Sequence, residues 1–137
     1  MSREKLYSSK SLDIEFDSQG QFLYANWKGF QNVDSIKDGG EKLLRFLVAK
    51  KVSSILNDNR LVTGPWQGAA EWVAKEWFPR MFAAGMKRFA WVQSQNVFSQ
   101  LSADKTLSET EMSQKNEGIR IFNNLEQAQQ WAVTGNA

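Results

Sequence analysis

Residues 52–92 constrain this chain more than any other stretch. Val52-Ser-Ser-Ile-Leu56 reads as a buried strand, and Asn57-Asp-Asn-Arg60 reads as the polar loop that ends it. Gly64-Pro65-Trp66 turns the chain into a tryptophan-rich helix over about 67–84, which leads to a second apolar strand, Arg88-Phe-Ala-Trp-Val92. Strand, crossover helix and strand form the unit that builds a parallel sheet, because parallel neighbours need a long connection back to the starting edge. Four of the six tryptophans fall inside this unit.

The crossover helix has one broad apolar arc of Ala69, Ala70, Val73, Ala74, Trp77, Phe78, Met81 and Ala84. Glu71, Lys75, Glu76 and Arg80 surround it, and Trp72 lands on that polar side. Pro79 lacks the amide that would bond to the carbonyl of Lys75, so a kink or break is expected there. Gly85 is the expected stop.

Upstream, Leu12–Phe16 alternates apolar and acidic residues and 21–27 is apolar on both faces, with Asp17-Ser-Gln-Gly20 between them. That pattern predicts an antiparallel hairpin. Asn32 is placed to cap a helix to about Lys50, with Val33, Ile36, Gly40, Leu43, Leu44 and Leu47 on one face. Gly40 on that face predicts either a close approach of helix to sheet or a tolerated weak spot.

Downstream, Val97, Phe98 and Leu101 predict a short helix beginning near Asn96. Residues 102–117 offer too few large apolar side chains to bury, so they are expected to form a surface helix with a mobile tail. Ile119–Phe122 is a last strand, and a helix capped by Asn123 follows. Residues 1–10 are polar and expected to fray.

The predicted order is β-β-α-β-α-β-α-β-α. It describes one α/β domain over 1–137, with a single mostly parallel five-stranded sheet and an antiparallel N-terminal hairpin strand. At 137 residues, 42% of them hydrophobic, the chain can bury one core without staples.

Composition excludes several chemistries. Without histidine or cysteine, the Ser-His, Cys-His and zinc-type constellations cannot form, and nothing points to an oxidising compartment. A lone carboxylate, Asp58 or Glu76, is weak support for general acid–base work. No cofactor and no metal is expected. Seventeen basic and fifteen acidic residues are interspersed for a net charge of +2, which argues against a nucleic-acid partner. No apolar run is long enough for a membrane span, so a cytoplasmic protein is expected.

The same order, with Leu56-Asn-Asp-Asn-Arg60, Gly64-x-Trp66, Glu76-Trp-Phe-Pro79 and Phe98-Ser-Gln-Leu101, resembles the SpoIIAA-like proteins across about residues 10–133. These are small bacterial domains sharing the STAS fold of anti-sigma-factor antagonists, with a fold-level kinship to lipid-binding Sec14 domains. The resemblance implies a non-catalytic protein-interaction or regulatory module, or else a binder of a small apolar or amphiphilic ligand. The antagonists end the third strand with an Asp and carry a phosphorylatable Ser or Thr in Asp-Ser-Ser/Thr-Gly at the next helix. Asp58 matches the first position and Thr63-Gly64 comes nearest the second, where Leu61-Val62 replace Asp-Ser.

The candidate contact residues are therefore Asp58, Asn59, Arg60, Thr63, Trp66 and Trp72. Asp58, Asn59 and Arg60 either meet a ligand or partner at the sheet's rim or tie down their own loop. Trp66 either staples the helix start or covers a small pocket. Trp72 is either an exposed anchor or a ring covered by Lys75 or the following loop. A protein partner is expected, with a second copy of the chain among the candidates. Ile55, Trp77 and Trp91 should meet in one core.

Overall fold

A computed structural model describes residues 3–110 and 118–136. Its sheet has six strands in sequential order: β1 (Arg3–Ser8), β2 (Leu12–Asp17), β3 (Phe22–Phe30), β4 (Ser54–Thr63), β5 (Arg88–Val92) and β6 (Ile119–Phe122). β1–β2 and β2–β3 are antiparallel, and β3 to β6 run parallel. The α/β architecture is as expected, but with six strands rather than five. The additional strand is the segment expected to fray. Leu6 and Tyr7 of β1 pack on the core, and Arg3 lies over the Phe22 and Tyr24 rings while pairing with Asp17. Long-range contacts of this kind are invisible to a local reading of polarity.

The helices are α1 (Val33–Lys50), α2 (67–83), α3 (Val97–Glu109) and α4 (Leu125–Thr134). Three successive crossovers step the same way across the sheet, so α1, α2 and α3 share one face. There Ile55, Trp77 and Trp91 meet, as expected, beside Leu43, Phe78 and Phe89. α4 covers the other face, where Trp131 and Ala128 pack on Phe22, Leu56, Val92 and Phe122. It is capped by Asn124, whose side chain accepts from the Gln127 amide, one residue later than the spacing suggested.

α1 opens on a reciprocal cap in which Asn32 accepts from the Ser35 amide and Ser35 Oγ accepts from the Asn32 amide. Its two glycines divide the close approaches. A Cβ on Gly39 would stand 2.5 Å from the Trp27 ring and 2.7 Å from Leu12, whereas one on Gly40 would meet Trp77 of α2 at 2.9 Å. The approach to the sheet is therefore made at Gly39, and Gly40 admits a neighbouring helix.

The disturbance expected at Pro79 takes the form of a π-turn over Val73–Trp77, with the Phe78 amide bonded to the Val73 carbonyl. Since Pro79 has no amide for the carbonyl of Lys75, the ladder is reset by one wider turn just before it.

α3 reverses the expected polarity. Ser99, Ser102, Ala103 and Thr106 are buried, while Val97, Phe98 and Leu101 are exposed, Phe98 by 60%. Small hydroxylated residues let α3 sit close to Trp66, and Ser102 and Thr106 satisfy themselves on carbonyls one turn earlier. The stretch expected to bury little thus has a closely packed face up to Thr110. Mobility was expected across 102–117; residues up to Glu109 are helix instead, and 111–117 lie outside the described residues.

Candidate functional site

The segment expected to be a rim loop is strand. Leu61-Val62-Thr63 restores strand-forming residues after Asn57-Asp-Asn-Arg60, and β4 continues to Thr63. Alternation then sends Ile55, Asn57 and Asn59 toward α1 and α2, while Leu56 and Asp58 face the α4 side. Opposite Trp27 the register slips: Asn26 pairs with Asp58 but Lys28 with Leu61. One extra residue in β4 flips the parity beyond it, so Val62 returns to the same side as Asn57 and Asn59.

Asn57, Asn59 and Val62 consequently line one cavity of about 50 Å³ between the end of β4 and α2, together with Trp66, Trp72, Val73, Trp77 and Trp91. Trp27, Gln31, Ile36, Gly40 and Phe89 complete the wall, which includes no charged side chain. Five tryptophans converge here from two strands, one turn and one helix. The aromatic packing is mutual: Trp66 stacks on Trp91 at 6.1 Å between ring centroids, and Trp77 meets Phe89 edge-on at 5.7 Å. Such pairs contribute roughly 0.5–1.5 kcal/mol each beyond their buried area.

Most polar atoms of the wall are partnered. Trp27 Nε1 donates to Asn57 Oδ1 at 2.8 Å, and Asn57 Nδ2 donates to Asn59 Oδ1 at 3.0 Å. Trp66 Nε1 donates to Ser99 Oγ and Trp77 Nε1 to the Gly40 carbonyl. Gln31 donates to the Ser11 and Lys28 carbonyls and accepts from Ser35 Oγ. Trp91 Nε1 is buried without a partner among the described residues, a condition that costs about 1–3 kcal/mol.

Asp58 is placed apart from this cavity. It is 1% exposed rather than at the rim. Its carboxylate accepts from Tyr24 Oη at 2.6 Å, from Arg60 Nη2 at 2.9 Å and from the Arg60 amide at 3.0 Å. Burial pushes the carboxyl pKa up, but the hydrogen bonds from Arg60 and Tyr24 outweigh it and hold the group below its ordinary value. Burial and the neighbouring carboxylate push the Tyr24 phenol well up. A general acid needs the opposite shift in its carboxyl. Asp58 is therefore the counter-charge of Arg60 and accepts from that residue's amide, so of the two roles expected for it its burial fits the tie within its own segment and not contact at the rim.

Of the six candidates, the structure brings Asn59, Trp66 and Trp72 to one cavity. Arg60 is half-exposed on the Asp58 pair. Thr63 is exposed as the last residue of β4, opposite Phe30 and four residues ahead of α2, so it is not at the helix start. Trp72 is partly buried, with Lys37 of α1, not Lys75, 5.9 Å above its ring. Trp27, Gln31 and Val62 also stand in the wall, where they were not expected. The β-branched Val62-Thr63 pair was the available signal that β4 runs on and carries alternate residues to this wall.

Among the described residues no three carboxylates are grouped to hold a metal ion, and no helix is long and apolar enough to cross a membrane. No protein-family model, curated protein or solved structure matches the chain.

Proposed function

We propose that this domain is a non-catalytic binding module whose tryptophan-lined cavity receives a small, largely apolar molecule. The observation that carries this reading is the cavity itself, an uncharged aromatic chamber at the end of β4. In open α/β sheets the carboxyl ends of parallel strands are the usual ligand edge. Its size limits what enters. About 50 Å³ is a third of the roughly 150 Å³ that encloses a benzene ring in an engineered protein cavity. The ligand therefore inserts a compact end and leaves the remainder at the mouth.

Native mass spectrometry of protein purified without denaturant, with solvent extraction of the same sample, tests the reading. A stoichiometric small molecule is expected. Protein that emerges free of any ligand, with tryptophan fluorescence indifferent to small apolar probes, would count decisively against it.

A second reading, a regulatory protein-interaction module like the anti-sigma-factor antagonists, draws on the exposed Val97, Phe98 and Leu101 of α3. Three adjoining apolar side chains left in water favour a protein partner or a second copy of the chain. Sedimentation of the wild type against Phe98→Ser with Leu101→Ser tests self-association. Identical monomeric behaviour would exclude the second copy.

A further inference from the structure

The hydrogen bonds around the cavity run in one direction. An indole N–H can only donate, so the 2.8 Å contact with Trp27 Nε1 fixes Asn57 with Oδ1 toward that ring. Asn57 Nδ2 must then face Asn59, which turns its own Oδ1 inward to accept at 3.0 Å. Asn59 is left with its amide nitrogen at the end of the relay, and among the described residues nothing accepts from it. The Trp91 ring belongs to the same wall, and its Nε1 is also without a partner. Gln31, the third amide of the wall, has both its nitrogen and its oxygen engaged. Two donors on buried wall residues, Asn59 Nδ2 and Trp91 Nε1, remain over, the partly buried Trp72 adds a third indole N–H without a partner among the described residues, and no side chain of the wall is charged.

We infer that the ligand of this cavity is an uncharged molecule presenting a carbonyl-type oxygen from an apolar body. The inference rests on the cavity-binding reading above. Asn59 Nδ2 is the donor that meets the oxygen, and Trp91 Nε1 is the second. The alternatives fail on the same inventory. A hydrocarbon fills the space but leaves both donors unmatched. An anion finds donors but no cation in the wall itself, Lys37 standing behind the Trp72 ring, to replace the water it loses. A quaternary ammonium finds aromatic faces but meets the positive ends of two N–H dipoles and no carboxylate.

The test is a ¹⁵N-detected titration of the full chain with two matched pairs, 2-butanone against 2-methylbutane and acetophenone against isopropylbenzene, each pair exchanging the oxygen for a methyl group. Benzoate and benzyltrimethylammonium supply the charged arms. In at least one pair the ketone should bind about tenfold tighter than its hydrocarbon, with the Asn59 amide and Trp91 indole protons moving downfield. Both charged probes should bind more weakly than acetophenone. Asn59→Asp can still accept from Asn57 but offers a carboxylate to the cavity, so it should erase the ketone's advantage and improve binding of the ammonium probe. Equal affinity within both pairs, or a ketone advantage that survives Asn59→Asp, overturns the acceptor inference and leaves apolar binding standing. If no probe perturbs the cavity resonances, both readings fall. Should Asn59→Asp not fold, the wild-type pairs decide alone.

Discussion

Trp77 Nε1 donates to the carbonyl oxygen of Gly40 across 2.7 Å, fastening α2 to α1 where α1 has no side chain. The bond and the glycine require each other. A Cβ at Gly40 would lie 2.9 Å from that nitrogen and 3.1 Å from Trp72, so the rings would have to retreat from the helix. Gly40→Ala gains about 1 kcal/mol of helix propensity but meets an overpacking cost of about 1–3 kcal/mol. A net loss of stability is expected in urea denaturation. Gly39→Ala should lose more, because its Cβ would lie 2.5 Å from the Trp27 ring and 2.7 Å from Leu12. An unchanged midpoint for both variants would mean that the rings yield freely.

The Tyr24–Asp58–Arg60 group predicts how stability depends on pH at both extremes. The folded-state pKa of Asp58 is lowered, so its contribution is present above the unfolded value, about 4, and disappears as pH falls through the folded one. The pKa of Tyr24 is raised. Its contribution is therefore complete below about pH 10 and is lost as pH rises further. Asp58→Asn should flatten the acid limb and cost about 2–3 kcal/mol at neutral pH through weakened charged hydrogen bonds, the exposure of Arg60 keeping the loss moderate. Tyr24→Phe should flatten the alkaline limb. Stability measured from pH 2 to 11 checks both, and an acid limb unaltered in Asp58→Asn would remove the proposed linkage.

How far the fold could be read in advance depended on how local each signal was. The crossover unit, the cap at Asn32 and the meeting of Ile55, Trp77 and Trp91 follow from periodicity within one or two turns of chain. β1 did not, because Arg3 is held by Asp17 and the Phe22 and Tyr24 rings, and Tyr7 lies under Lys42 of α1. At the site, Asn57-Asp-Asn-Arg60 looked like a loop because four polar residues in a row rarely enter a central strand. They can here, since Trp27, Tyr24 and Arg60 supply the missing partners, and two of those three come from another strand. α3 departs from expectation for the related reason that Ser and Thr are ordinarily surface residues. Close packing against Trp66 favours their small volume and gives their hydroxyls a use.

Ser102 illustrates that use. Its Oγ accepts from the backbone amide of Trp66 at 2.8 Å, while Ser99 Oγ accepts from the Trp66 indole at 3.2 Å. Ser102→Ala leaves a buried amide without an acceptor, which should cost about 1–3 kcal/mol. Ser99→Ala should cost less, since its bond is longer. Hydrogen exchange at the Trp66 amide reports directly on the first change. Exchange as slow in Ser102→Ala as in the wild type would show that another group takes over.

Val73 lines the cavity from the π-turn of α2, where a larger side chain projects into space that is already open. Val73→Leu adds one methylene, which should stabilise the fold by up to about 0.8 kcal/mol, helped by the better helix propensity of leucine. The same group should exclude the ligand. Stability and binding are thus expected to move in opposite directions, whereas damage to the wall would lower both. Calorimetric melting of the ligand-free protein, paired with native mass spectrometry of protein as purified, distinguishes these outcomes. A higher melting temperature together with undiminished ligand would place the bound molecule somewhere other than this cavity.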